Sequence, residues 1–238
     1  FDKVNVQNGN DYVYDSFPLA GPDGIVSSIA VDGSDVYFGG SFSVVGNTKA
    51  NNIIKWNGSS WCSLADGLNS GVSAITVYNN IVYVGGSFTT ANGLEANRIA
   101  VWDGSNWSTI GTGFNAAVKS IVVTENATYA AGEFTTAGGQ QANRVAVWNG
   151  ATWTELGTGI NNVVNAIAVS GNDVYVGGWF TSAGGISVSN IAKWNGASWS
   201  SVGNGVNATV NKLQFDNSIL YVGGQFSMAG SSTILGLA

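Results

Sequence analysis

Residues 81–107 read IVYVGGSFTTANGLEANRIAVWDGSNW, and nearly every part of that stretch is written again elsewhere in the chain. Tyr37, Tyr83, Tyr129, Tyr175 and Tyr221 stand 46 residues apart, and Phe42, Phe88, Phe134, Phe180 and Phe226 keep the same interval. So do Trp56, Trp102, Trp148 and Trp194. A fixed period without insertions marks one supersecondary unit stacked on copies of itself. Because the repeat runs from end to end of the 238 residues, no boundary interrupts it, and residues 1–238 read as a single domain.

Each unit reads as four short strands. The first is an alternating, β-branched run, Val72 to Val77, which recurs as Val26 to Val31, Val118 to Val123, Val164 to Val169 and Val210 to Phe215. Turn residues follow, as in Asn79-Asn80 or Gly171-Asn172, and lead to a second strand that ends in Tyr-Val-Gly-Gly. Glycine inside a strand implies close approach of a neighbour, here expected to be the aromatics of an adjacent unit. A longer loop, Phe88 to Asn97 in the second unit, precedes the third strand, Ile99 to Trp102. An Asn/Asp-Gly turn then gives a hairpin whose fourth strand opens with Trp61, Trp107, Trp153 or Trp199. The paired tryptophans read as packing between units.

Four strands every 40 to 50 residues is the blade of a β-propeller. The predicted fold is all-β, a five-bladed propeller of four-stranded blades. Blades are expected at about 25–70, 71–116, 117–162, 163–208 and 209–238, the last completed by residues 1–24. Val4 to Gly9 resembles Ile53 to Gly58, with Gln7 in place of Trp, and residues 11–17 can supply the outer strand. Closing the ring from both termini would remove exposed sheet edges. By the same spacing, however, Leu237 falls on the position of Ile99, which Val4 also matches. Two segments therefore claim one third-strand slot. The expectation is that the tail stops at the slot and residues 3–7 fill it; strand addition to a neighbouring molecule is the alternative.

The order Tyr-Val-Gly-Gly, apolar third strand, then Trp opening a fourth resembles the kelch or galactose-oxidase-like blade. The fuller pattern YVGG-x-FT-x-AGG-x-x-AN-x-IA-x-WNG resembles repeats of secreted bacterial and fungal cell-surface proteins. That resemblance implies an extracellular or cell-surface location. The fixed Phe-Thr and Ala-Asn loop departs from kelch, so kelch partner binding does not transfer.

Composition narrows the function. Charged residues are 9% of the chain and the formal net charge is −6, which argues against nucleic acid and against an anionic membrane surface. No window has the apolar length of a membrane span. The chain has no histidine, which removes Ser-His-Asp and Cys-His catalysis and histidine-ligated metals together. Glu95, Glu133 and Glu155 show no convergence as a carboxylate pair. Asp23, Asp32, Asp35, Asp66, Asp103 and Asp173 form no calcium loop. The lone Cys62 permits no internal disulfide and reads as a small core-side residue. No catalytic residue, metal or cofactor is expected, and the protein reads as a non-enzyme.

Two sets of residues remain as ligand candidates. Asn69, Asn115, Asn161 and Asn207 recur in Gly-x-Gly-x-Asn turns that should open on one face, either as structural turns or as equivalent shallow sites. The other set lies where the period lapses. Before the repeated Phe stand Ser41, Ser87, Glu133, Trp179 and Gln225, and Trp179 is the one tryptophan outside the pattern. It could be a stacking platform, with Glu133 and Gln225 as hydrogen-bond partners. Asn57, Asn106, Asn126 and Asn207 start Asn-x-Ser/Thr triplets, which matter in a glycosylating host. The expected function is binding or adhesion, to glycan or protein through the loop face. The alternative is a structural subunit of a filament or surface layer, joined through its termini.

Overall fold

The computed structural model describes residues 21–234 and 236–237. Four antiparallel four-stranded sheets follow one another, each with its strands in chain order. In the second sheet these are Val72–Tyr78, Ile81–Gly86, Ile99–Trp102 and Trp107–Ser108. The first runs from Ile25–Asp32 to Trp61–Ser63, the third from Val118–Val123 to Trp153–Glu155, and the fourth from Val164–Ser170 to Trp199–Ser201. A fifth begins with Val210–Asp216 and Ile219–Gly224. No helix occurs among the described residues. The fold is an all-β propeller built of repeated sheets.

The sequence explains how one sheet seats on the next. Each first strand carries a bulge, between Val72 and Ala74 in the second sheet and at the matching residues of the other four. The extra residue lets Val72 and Ile75, three positions apart, meet the same glycine of the preceding sheet. A methyl group added at Gly39 would lie 2.4 Å from Val72 Cγ1 and 2.7 Å from Ile75 Cδ1. Gly85 and Gly177 face Val118 and Val210 in the same way. The glycines thus admit aliphatic side chains, not the expected aromatics, because the bulged strand is what lies over them. The second glycine of each pair serves its own sheet. A methyl there would fall 1.9–2.2 Å from the carbonyl oxygen that precedes or opens the first strand.

The aromatics pack at the outer strands instead. Trp107, Trp153 and Trp199 each donate Nε1–H to a carbonyl of the preceding sheet, Leu64, Ile110 and Leu156, at 2.8–3.0 Å. Trp102 and Trp107 pack as tilted rings with centroids 5.3 Å apart, and Trp194 and Trp199 do so at 5.5 Å. Phe88, Phe134, Phe180 and Phe226 are fully buried beneath the loops. Cys62 is half-buried, with Asn57 Nδ2 at 3.4 Å from its sulfur.

The two end faces differ from the interior junctions. Ile29 is 57% exposed, whereas its counterparts Ile75, Ile121, Ile167 and Leu213 are 3–9% exposed. At the other end Tyr221 and Ile219 are exposed, and a methyl at Gly223 would find only Lys212 Cβ, at 4.0 Å. The chain's tail does enter the third-strand slot of the fifth sheet. Leu237 bridges Gly223 as Ile99 pairs with Gly85. Gly236 N–H donates to Phe226 O and Gly224 N–H to Gly236 O, at 2.8 and 2.9 Å, the bonds that Arg98 makes in the second sheet. Gly236 and Arg98 even share a left-handed φ, 74° and 76°. The tail therefore pairs at the slot instead of stopping before it. The closing strands expected at residues 1–20 lie outside the described residues.

Candidate binding edge

One edge of the propeller gathers the loops. After each second strand the chain passes a variable residue and the buried Phe, then forms a small hairpin such as Thr90–Ala91 with Leu94–Glu95. The sequence pattern predicts only a longer loop here. Two residues per strand are too few to show alternation, although the turn glycines of the third sheet, Gly138 and Gly139, have the left-handed φ of a tight hairpin, 60° and 80°.

The recurrent asparagines lock these hairpins to the preceding turn. The backbone N–H groups of Thr89 and Thr90 donate to Asn69 Oδ1 at 2.8 and 3.0 Å, and Asn69 Nδ2 donates to Thr89 Oγ1 at 2.8 Å. Asn115, Asn161 and Asn207 repeat the arrangement. Their amide groups are thus engaged within the chain, and what they give the edge is rigidity. Asp23 does the same in the first sheet, accepting from Ser43 N–H, Val44 N–H and the Ser43 hydroxyl at 2.5–3.0 Å. The Ser43 hydroxyl, followed by the two backbone donors, holds its carboxyl below the ordinary aspartate range. Asp23 lies 46 residues before Asn69, so the spacing alone could have found it.

Shallow polar hollows lie beside two of these latches. One of about 290 Å³ is lined by Asn51, Asp66, Asn69 and Asn92. Another of about 170 Å³ repeats it two sheets on, with Asn143, Thr158, Asn161 and Gly185.

The variable residues sit at the end of the second strands on this same edge. Backbone N–H groups of Ser87, Glu133, Trp179 and Gln225 donate to Gly71, Ala117, Val163 and Thr209 carbonyls at 2.9–3.0 Å, so the backbone of each position is pinned. Trp179 is 63% exposed. Glu133 pairs with Lys119 at 3.1 Å, and Arg144 donates to the carbonyls of Glu133 and Phe134. Gln225 is exposed. The three therefore stand on one edge in successive sheets, without a hydrogen bond joining their side chains among the described residues.

The other acidic candidates are dispersed. Glu95 Oε1 accepts from Asn97 Nδ2, and Glu155 Oε1 accepts from the Asn143 N–H. Among the described residues, no three His, Cys, Asp or Glu side chains gather as a metal site would require. No described helix is long and apolar enough to cross a membrane.

Comparison with known proteins bears on the fold. The family model described as the Rax2 C-terminal beta propeller domain matches residues 151–237, from the outer strand of the third sheet through the fifth. No curated protein matches the chain. Among solved structures, the chain is similar to the extracellular domain of a B. thetaiotaomicron protein described as the hybrid two-component system BT4673. The TM-score is 0.58 at 12% identity, over 89% of this chain and 26% of that one. The computationally designed Ika4 protein is 20% identical with a TM-score of 0.48, over 73% of this chain and 93% of that one. The sequence likeness to a beta propeller domain thus covers residues 151–237, and the structural likeness to the BT4673 extracellular domain covers 89% of the chain.

Proposed function

We propose that the protein is a non-catalytic binding or adhesion module that acts outside the cell and recognises glycan or protein through its loop edge. The observation that carries this is Trp179. Packing does not dictate the residue at its position, since Ser41, Ser87, Glu133 and Gln225 occupy it elsewhere. Yet a large indole stands there 63% exposed on a pinned backbone. Such side chains cost little entropy to hold and supply large contact areas to a partner. The BT4673 likeness, to an extracellular domain, is in keeping with this setting, as is a charged fraction of only 9%. In this reading the propeller has five blades, the last completed by residues that precede Gly21, since Pro22 and Asp23 pair with the hairpin of the first sheet and not with the fifth as the sequence suggested. The test is a glycan and cell-surface protein array. Retention should fall about tenfold or more on Trp179→Ala, equivalent to roughly 1.4 kcal/mol, with no change in melting. Equal retention by the variant sinks the loop-edge assignment.

A second reading, a structural subunit that assembles head to tail, is favoured by the end faces. The aliphatic face of the first sheet, Ile29 and Val31, is the shape that the glycine face of the fifth, Tyr221 and Gly223, receives at interior junctions. Sedimentation that rises with concentration and returns to monomer on Ile29→Asp supports this reading; a constant monomer rejects it.

A further inference from the structure

The opposite edge of the propeller holds a larger cavity that the repeat pattern does not account for. It measures about 450 Å³ and lies between the second and third sheets. Tyr78 and Tyr83 wall it on one side, Trp148 on the other, and Glu125, Asn126 and Asn149 stand at its rim.

Its origin is a lapse in the turn chemistry. In the other four sheets the first-to-second strand ladder closes fully, at Asp32–Asp35, Tyr78–Ile81, Ser170–Asp173 and Asp216–Ile219. Those turns use left-handed residues, Gly33, Asn79 with Asn80, Gly171 and Asn217. The third sheet has Glu125 and Asn126 there, neither of them left-handed, and its ladder stops one pair earlier at Val123–Thr128. The turn is nonetheless fixed. Thr124 N–H and Oγ1 both donate to the Ala127 carbonyl, at 2.9 and 3.1 Å, and Ala127 N–H donates back to Oγ1 at 3.2 Å. Tyr78 is a second lapse, since Asp32, Thr124, Ser170 and Asp216 hold its position elsewhere.

We infer that this cavity is a binding site for a neutral saccharide. Aromatic walls offer π-faces to the C–H faces of a pyranose, and a rim carboxylate and amides suit its hydroxyls. The volume falls within the range of ligand sites, roughly 300–1,000 Å³. No lysine or arginine lines it, so it has nothing to pair with a sulfated or sialylated sugar. Asn149 Oδ1 is engaged by the N–H groups of Ala151 and Thr152, which leaves its Nδ2 to donate to a ligand. The site is separate from Trp179, which stands on the other edge.

The test is calorimetric titration with cellobiose, chitobiose and maltose at millimolar concentration. The protein should come from a non-glycosylating host, because Asn126 opens an Asn-Ala-Thr triplet. At least one disaccharide should bind, with a change in tryptophan fluorescence. Tyr78→Ser, which installs the residue of the fourth sheet, should weaken binding about tenfold or more. Glu125→Gln should weaken it severalfold. Melting curves check that Tyr78→Ser is folded; if it is not, Glu125→Gln decides. Failure of all three sugars to bind overturns the assignment, and so does binding that Glu125→Gln and a folded Tyr78→Ser leave unchanged. Loss of binding on Trp179→Ala alone would put the sugar on the loop edge and overturn it too.

Discussion

The fourth and fifth sheets carry nearly the same second strand, Asp173-Val-Tyr-Val-Gly-Gly178 and Ile219-Leu-Tyr-Val-Gly-Gly224, in opposite surroundings. A methyl at Gly177 would strike Val210 Cγ1 at 2.4 Å, whereas one at Gly223 would meet only Lys212 Cβ at 4.0 Å. Tyr175 packs edge-on against Phe215, with ring centroids 5.3 Å apart; Tyr221 is exposed. The same residues are core in one sheet and surface in the next. Burial is therefore conferred by the following sheet and not by the motif, which is the physical meaning of a stacked repeat.

The tyrosines should sharpen this contrast most. Tyr175→Ala removes a half-buried ring from a junction and should cost about 2–3 kcal/mol, less than the roughly 3–5 of a fully buried aromatic. Tyr221→Ala should stay within about 0.5 kcal/mol, as an exposed substitution does. Chemical denaturation of the two variants measures both. A much smaller effect lies in the acid limb of stability at the first latch. Because the folded state lowers the pKa of Asp23, its contribution is present above the ordinary aspartate value and fades as pH falls through the folded one. Asp23→Asn copies Asn69, keeps an oxygen for both N–H donors and cannot titrate. Melting between pH 6 and 2 should show the variant losing slightly less stability than the parent. Identical acid limbs would mean that the charge on Asp23 adds nothing to stability beyond what a neutral acceptor supplies.

Much of this architecture was legible in the sequence because periodicity reports on packing. Val118–Val123 and Ile99–Trp102 appear with the expected bounds, and the other first strands shift by a residue at most at either end. What packs over the glycines was not legible, since a bulge brings Val72 and Ile75 together and leaves no mark in the alternation. On the candidate edge, Trp179 was visible as a break in the period and is exposed. The engagement of Asn69 and its equivalents with residues 20 and 21 positions on depends on a fold in the chain that composition does not reveal. The lapses at Tyr78 and Glu125 stand in the sequence, but that they meet at one cavity depends on the packing of two adjacent sheets and was not legible there.

The most direct test of burial by the following sheet is the thermal melting of Gly177→Val beside Gly223→Val. Valine is the right probe, because the third sheet already accommodates the methyl of Ala131 at this position. Gly177→Val should cost about 1–3 kcal/mol through overpacking against Val210, lowering the melting temperature by roughly 2–4 °C per kcal/mol. Gly223→Val should leave it unchanged or raise it slightly. Equal losses from the two would contradict the account, because they would mean that something covers the fifth sheet in solution as closely as the fifth covers the fourth.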